Sequence, residues 1–175
     1  LANINRTCQT CHRQSEETLR QNVYERQEKV FDIRNRVEKE LARAHIEAKF
    51  AWEKGATEKE MEPILTALRK SQWRWDYAVA SHGASFHAPQ EVTRLLGVAL
   101  NYAQTARIDI ARVLARHGYS KEVPMPDIST KDKAQSYIGL DMKKLKAQKK
   151  NFIDNVVPQW VKIAKKNGRF ITKEM

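Results

Sequence analysis

The stretch SEETLRQNVYERQEKVFDIRNRVEKELARAHIEAKFAWEK, residues 15–54, has the spacing of one long amphipathic helix. Ser15 is a suitable N-cap, and two glutamates follow it in the first turn, where the helix dipole favours acidic side chains. Apolar residues recur at helical spacing down the stretch: Val23, Val30, Ile33, Val37, Leu41, Ala44, Ala48 and Ala51. The pattern predicts a helix of about ten turns that ends at Gly55 and lies against other long helices.

Two more long helices are predicted after Gly55. Residues 57–60, TEKE, form a capping box that opens the second helix. Pro63 removes a backbone donor from this helix, so we expect a kink or a late start there. The helical pattern breaks at SHGASFHAP, residues 81–89. Pro89 is well placed as the first residue of a third helix, which Gly118 ends.

The C-terminal third of the chain contains shorter predicted helices. VPMPDIST, residues 123–130, is a linker, and a short helix follows it as far as Gly139. Asp141 caps a lysine-rich helix that Pro158 kinks and Gly168 ends. No segment alternates like a strand and no repeat is visible. The predicted fold is all-α, with long helices forming a scaffold.

Charge and composition limit the functional classes. The chain of 175 residues has a net charge of +11 and a mean hydropathy of -0.68. Residues 141–175 hold ten Lys or Arg and three Asp or Glu residues, which is typical of a solvated helix face. Acidic residues are interleaved along the long helices and no nucleic-acid module is visible, so we expect no nucleic-acid partner. No apolar run is long enough to span a membrane, and no signal peptide is visible.

The only two cysteines belong to Cys8-Gln9-Thr10-Cys11-His12, a C-x-x-C-H motif. This spacing is the attachment signature of c-type haem, in which both thiols form thioethers and the histidine binds the iron. A zinc site, a redox pair and a plain disulfide remain as alternatives. Because haem is attached covalently outside the cytoplasm, we predict a periplasmic or membrane-facing protein.

A haem that transfers electrons usually has a second axial ligand. His45 lies within a charged helix and His117 beside a helix-ending glycine, so structural roles are favoured for both. His82 and His87 flank the glycine-containing loop, with aromatic residues nearby, and His87 is the better candidate. A histidine that is merely packed in the loop is the alternative. The methionine candidates are Met61, Met125, Met142 and Met175.

Three stretches carry a resemblance to a known family: QWRWDYAVASHGASFHAPQE, RLLGVALNYAQTARIDIARVLARHG and PDISTKDKAQSYIGLD. Together with CQTCH before a very long helix, they resemble the C-terminal part of the ammonia-forming cytochrome c nitrite reductases, which are periplasmic pentahaem enzymes. The resemblance covers essentially the whole chain. Its motifs, W-x-W-D, S-H-G-x-x-x-H-A-P and P-D-I-S-T-K in this order, are far more specific than C-x-x-C-H.

The resemblance implies roles for four residues. Cys8 and Cys11 match the thioether positions of the fifth haem, and His12 matches its proximal ligand. His87 matches the distal ligand of the fourth haem, which would be attached upstream. The active-site C-x-x-C-K motif, the other haem motifs and the calcium ligands have no counterpart here. Residues 1–14 would therefore end the multihaem domain, and residues 15–175, including loop 81–89, would form the scaffold and dimerisation region.

The expected function is that of the whole nitrite reductase, the six-electron reduction of nitrite to ammonia. This part would supply an electron-relay haem, a distal ligand and the helices of a homodimer, with the stripe Val23–Ala51 as the interface. The implied partners are the N-terminal catalytic part, nitrite, and a multihaem donor, either a membrane quinol dehydrogenase or a soluble cytochrome. The implied cofactors are several haems c and calcium.

Two other functions are kept. One is a stand-alone monohaem electron-transfer cytochrome, whose distal ligand would come from this chain. The other is a haem-free helical adaptor with a zinc or disulfide staple.

Overall fold

The computed structural model describes residues 3–169, and the regular secondary structure in this part of the chain is helical. Short 3-10 turns at Ile4–Arg6 and Cys8–Thr10 come first. Seven α-helices follow: α1 Glu16–Glu53, α2 Glu58–Ala80, α3 Ala84–His87, α4 Pro89–Arg116, α5 Lys131–Tyr137, α6 Met142–Asn151 and α7 Val157–Lys166. No strand occurs between residues 3 and 169. The all-α prediction is confirmed.

The chain divides into two compact units, Leu1–Pro124 and Met125–Met175. The first unit is built on α1, α2 and α4, which pack against one another. The second contains α5, α6 and α7. The linker predicted at residues 123–130 contains no helix, and the division falls within it.

Helix α1 begins and ends where the sequence predicted. The Ser15 hydroxyl accepts a hydrogen bond from the Thr18 N–H at 3.2 Å, which satisfies one of the free donors of the first turn. The helix then continues for 38 residues. Gly55 follows with φ of 93°, a left-handed conformation that glycine adopts without a steric penalty.

The core of the first unit is rich in small side chains. On α1 the buried residues of the stripe are Val30, Val37, Leu41, Ala44, Ala48 and Ala51. They pack with α2 and with the α4 face that carries Ala99, Ala103 and Ala106. Alanines on both helices let the backbones approach closely, so this core depends on helix proximity as well as on large apolar groups.

The position of this stripe corrects the predicted homodimer interface. Val37, Ala44 and Ala51 are 0% exposed, because α2 and α4 of the same chain cover them. The stripe Val23–Ala51 is therefore largely buried within the chain. Its apolar periodicity reflects the packing of α1 against α2 and α4. We do not retain the homodimer.

Helix α2 shows the predicted capping box and no late start. The Thr57 hydroxyl accepts from the Glu60 N–H, and the Glu60 carboxylate accepts from the Thr57 N–H at 3.0 Å. The helix begins at Glu58 and continues past Pro63 to Ala80. The late start is wrong because Met61 and Ile64, on either side of the proline, are buried and hold this turn in the core.

Polar side chains also connect the three long helices. The Ser71 hydroxyl, which is fully buried, donates to the Ala99 carbonyl at 2.7 Å and joins α2 to α4. Arg107 of α4 binds two glutamates of α1, Glu47 at 2.8 Å and Glu40 at 2.6 Å. These hydrogen bonds raise the pKa of the Arg107 guanidinium, the one to Glu47 contributing most. The α1–α4 interface thus includes an ion-pair cluster beside its alanine contacts.

The second unit consists of short, well-capped helices. The Thr130 hydroxyl accepts from the Lys133 N–H, and Asp141 accepts from the Lys144 N–H at 2.9 Å. A π-helical turn, Phe152–Val156, comes directly before Pro158, which is the second residue of α7. This turn accommodates the proline that was predicted to kink the helix, because a proline cannot donate the next α-helical hydrogen bond.

Side chains of the second unit are not buried in the part that the structure describes, residues 125–169. Its large apolar residues are exposed instead, among them Trp160 at 59% and Ile163 at 57%. Over residues 3–169, no helix combines the length and the hydrophobicity that crossing a membrane requires.

Candidate haem-binding site

The C-x-x-C-H motif folds into a single tight turn. Residues Cys8–Thr10 form a 3-10 turn, and the Cys11 N–H donates to the Cys8 carbonyl at 3.2 Å. The His12 N–H donates to the same carbonyl at 2.9 Å. Backbone bonding to one carbonyl keeps both thiols and the imidazole within one turn of chain, as attachment to a single haem requires.

Local hydrogen bonds hold the shape of this turn. The Thr7 hydroxyl donates to the Asn3 carbonyl at 2.7 Å, and the Thr10 hydroxyl donates to the Thr7 carbonyl at 2.6 Å. The Gln9 side chain donates to the Gln14 carbonyl at 2.9 Å. Ile4 is only 2% exposed and fixes the preceding turn against the fold. Gln9 and Thr10, the two residues between the cysteines, therefore help to hold the shape of the turn.

The three side chains of the motif fit the attachment of haem c. Both thiols are free: Cys8 is half-buried, Cys11 is exposed, and no disulfide joins them. The His12 side chain is also exposed. Within residues 3–169, no three His, Cys, Asp or Glu side chains form a group that could hold a metal ion directly. The turn thus presents two thiols and one imidazole without the further ligands that a zinc site needs.

Loop 81–89 contains the other predicted ligand. His87 is the last residue of the four-residue helix α3, and its side chain is exposed. Its ring meets the Phe86 ring edge-on, with centroids 4.5 Å apart. No hydrogen bond to a ring nitrogen of His87 occurs within the described residues, so both nitrogens are available to an iron. No hydrogen bond, ion pair or ring contact in this part of the chain joins His87 to the Cys8–His12 turn.

An arginine of α1 positions this loop. The Arg26 guanidinium donates to the Phe86 carbonyl at 3.0 Å, one residue before His87. Arg26 was not among the site residues predicted from the sequence. Arg26, Val30 and Arg34 lie four residues apart, so they share one face of α1. This spacing could have indicated that Arg26 faces the same neighbour as buried Val30.

The remaining histidines have the structural positions that the sequence favoured or lie apart from the motif. The His117 Nε2 pairs with the Glu60 carboxylate at 3.0 Å, at the C-terminal end of α4. His45 is exposed in the middle of α1. His82 is exposed in the loop and lines a pocket against α1.

The methionines offer weaker alternatives. Met61 is 0% exposed in the core, so it could reach an iron only if the packing of α2 changed. Met125 and Met142 belong to the second unit. Met175 lies outside the described residues.

Comparison with known proteins identifies the family. The family model described as cytochrome c552 matches residues 1–169. A cytochrome c-552 of Porphyromonas gingivalis is 67% identical over 171 residues, which are 98% of this chain and 34% of the relative. A cytochrome c-552 of Bacteroides thetaiotaomicron is 62% identical over 173 residues, which are 99% of this chain and 35% of the relative. The chain therefore spans about a third of the length of these curated relatives.

These findings overturn the assignment to the nitrite reductases. The matching family and these relatives carry the description cytochrome c-552, with no mention of nitrite reduction. Three predictions are therefore wrong: that the chain is a C-terminal part of a nitrite reductase, that it takes part in forming ammonia, and that it belongs to that enzyme class. The partners implied with them, an N-terminal catalytic part, nitrite and a multihaem donor, are withdrawn. Calcium and several haems have no support in the comparisons either.

The structure shows why the quoted motifs are a weak guide to chemistry. In W-x-W-D, Trp75 packs against both core clusters and Asp76 accepts a hydrogen bond from Gln72 at 2.8 Å. In P-D-I-S-T-K, Asp127 accepts from the Ser129 hydroxyl at 2.7 Å, and Thr130 caps α5. Trp75 and Thr130 thus have structural roles, in the core and at a helix end. They describe a scaffold, and a scaffold does not determine which reaction takes place beside it.

Proposed function

This chain belongs to the cytochrome c552 family, and on that premise we propose that it is an electron-transfer cytochrome carrying haem c on Cys8, Cys11 and His12. The observation that carries the proposal is the Cys8–His12 turn. Two free thiols and an exposed imidazole are held within one turn by bonds to a single carbonyl. Of the alternatives left by the sequence, the comparisons favour electron transfer by a c-type cytochrome over nitrite reduction.

Each residue of the turn has a separate task. Cys8 and Cys11 would hold the haem covalently, each through a thioether to one vinyl group of the porphyrin, with the thiol hydrogen going to the other vinyl carbon. His12 supplies a neutral imidazole nitrogen to the iron. When bound, haem supplies one-electron chemistry, because its iron alternates between the ferric and ferrous states.

His87 is proposed as an axial ligand to a haem iron. This proposal is supported by its exposed side chain and by ring nitrogens that have no hydrogen-bond partner in the described part of the chain. The Arg26 bond to the Phe86 carbonyl restrains the loop beside it. A haem iron held by two histidines would have no position for substrate, which would suit electron transfer.

We also propose that the protein works in the periplasm. The argument is the chemistry of attachment, because thioether formation with haem takes place outside the cytoplasm. Osmotic release of the periplasmic fraction, followed by staining of denatured protein for covalent haem, tests the location. Covalent haem confined to the cytoplasmic fraction would contradict it.

The experiment on the attachment site uses Cys8→Ser, Cys11→Ser and the double variant. We expect the wild-type Soret absorbance to remain with the protein after acid-acetone extraction. Each single variant should retain haem through one thioether and show a red-shifted pyridine haemochrome band, and the double variant should release its haem. Thr10→Ser is the matched control, because it keeps the hydroxyl that donates to the Thr7 carbonyl. A wild-type protein without extractable or covalent haem, but with bound zinc, would favour the helical adaptor instead.

A second experiment tests His87. His87→Met replaces an imidazole by a thioether, which raises the reduction potential of a haem iron. We therefore expect a higher midpoint potential and an altered low-spin spectrum. His45→Met is the control, since His45 is exposed on α1 away from this loop. Equal potentials in the wild type and both variants would remove His87 from the iron.

A further inference from the structure

A pocket opens between α1 and loop 81–89 that haem attachment does not use. Its volume is about 260 Å³, and its polar lining side chains are Gln27, Arg34, Ser81, His82 and Ser85. Apolar side chains from α1 and from the end of α2 complete the wall. We call this the Arg34 pocket. None of its lining residues is an aspartate or a glutamate, so the pocket is cationic.

Arg34 has no acidic partner among the described residues. Of the other half-buried arginines, Arg20, Arg43 and Arg107 each pair with a glutamate, and Arg74 donates to the Lys70 carbonyl. Arg34 donates one hydrogen bond, to the Asn35 side-chain oxygen at 3.3 Å. Its Nε–H is buried and has no partner. A guanidinium carries five N–H donors, so most of its donor capacity is unused by the protein.

Neighbouring side chains hold the Arg34 guanidinium in place. Its central carbon lies 4.0 Å from the centroid of the Phe31 ring, a cation–π arrangement that fixes the plane of the group. Arg26, two turns earlier on the same face of α1, holds loop 81–89 through the Phe86 carbonyl at 3.0 Å. Arg34 is thus an oriented cation facing a loop that is itself restrained.

The other polar groups of the pocket are mostly free to donate. The Ser81 hydroxyl is engaged with the Tyr77 carbonyl at 2.7 Å. The side chains of Gln27, His82 and Ser85 have no hydrogen-bond partner in the part of the chain that the structure describes. A planar guanidinium fork with neutral donors around it is the arrangement that recognises a carboxylate or an oxyanion.

We propose that the Arg34 pocket binds a small anionic group, a carboxylate or an inorganic oxyanion, through the Arg34 guanidinium. Gln27, His82 and Ser85 contribute further hydrogen-bond donors. Two sources offer this chemistry, a free anion and a propionate side chain of haem. Only the second source depends on the function proposed above. Binding would satisfy the unpaired donors of Arg34 in a partly desolvated site, where charge-assisted hydrogen bonds are strong.

The test for a free anion uses inorganic phosphate and the haem-loaded protein. Calorimetric titration at constant ionic strength should give saturable binding to the wild type. Arg34→Gln should weaken it by about tenfold or more, because it removes the charge and the fork. Arg36→Gln is the matched control: Arg36 is exposed on the same helix and does not line the pocket. Equal affinity of Arg34→Gln and Arg36→Gln for phosphate would overturn the proposal.

The propionate source has a different signature. If the haem already occupies the pocket, phosphate should not bind to the wild type. Arg34→Gln should then lower the midpoint potential of the haem, since losing a positive charge favours the ferric state, and Arg36→Gln should not. Absence of both phosphate binding and a potential shift overturns the proposal. Haem content, measured first by the pyridine haemochrome, shows separately whether the proposed function itself has failed.

Discussion

Glu60 has several binding partners at once, at the start of α2 and the end of α4. Its carboxylate accepts from the Thr57 N–H at 3.0 Å, from the His117 ring at 3.0 Å and from Arg116 at 3.2 Å. These interactions, led by the backbone hydrogen bond of Thr57, lower the pKa of Glu60 to about 2. One side chain therefore combines the cap of α2 with a link to α4.

The consequence is a defined dependence of stability on pH. The folded pKa of Glu60 is about 2 and its ordinary value is 4.5, so its contribution is present above pH 4.5 and is lost as the pH falls towards 2. We expect Glu60→Gln to be less stable than the wild type at pH 7, with the difference shrinking below pH 4.5. Urea denaturation across this pH range measures it. Glu62→Gln, at an exposed position of the same helix, should show no such trend.

Which single residues could be predicted depended on how local their role is. The caps Ser15 and Thr57 and the Cys8–His12 turn act over three or four neighbours, so the sequence was sufficient to predict them. Arg34 could not be predicted, because its importance comes from loop 81–89 folding against α1. The ligand role of His87 stays a prediction.

At the level of elements, close approach of α1, α2 and α4 depends on alanines. Ala103 of α4 is 0% exposed, in the same core cluster as Ala44 and Ala48 of α1. We expect Ala103→Leu to lower the free energy of unfolding by about 1–3 kcal/mol, because the larger side chain forces the helices apart. Urea denaturation measures the loss.

A matched control for this variant lies on the same helix. Ala115 is exposed near the end of α4, so Ala115→Leu should change the free energy of unfolding by less than about 0.5 kcal/mol. If both variants lost the same free energy of unfolding, the loss would not come from packing at Ala103, and the prediction would be wrong.

Helix periodicity correctly predicted the long helices, but it did not predict which surfaces they pack against. The stripe on α1 correctly indicated a long helix buried on one face. It did not indicate what covers that face, since periodicity is the same for contact within a chain and between chains. The late start expected at Pro63 was also wrong, because local propensity was outweighed by the burial of Met61 and Ile64.

At the scale of the whole molecule, the two units differ in what stabilises them. The division into two compact units after Pro124 was not predicted. The linker at residues 123–130, in which this division falls, was predicted. The boundary predicted after residue 14 remains untested. The first unit has two buried core clusters, whereas residues 125–169 bury no side chain. Isolated helices shorter than about 12–15 residues are marginal in water, and α6 and α7 have 10 residues each.

This contrast predicts the pattern of amide hydrogen exchange in the intact chain. Amides in the buried middle of α4 should exchange only when the first unit unfolds, because this helix cannot open without disrupting the core. Amides of α6 and α7 should exchange at least about a hundredfold faster, through local opening. Mass spectrometry of peptic fragments measures both. Similar protection of α7 and α4 would contradict this account.

The bonds that shape the Cys8–His12 turn have a consequence for the order of events in maturation. Their partners all lie between Asn3 and Gln14, so the turn can form as soon as those residues have been made. By contrast, Arg107 reaches Glu47 and Glu40 over separations of 60 and 67 residues. If haem is attached at this turn as proposed above, its attachment site would be formed before the helical core has assembled.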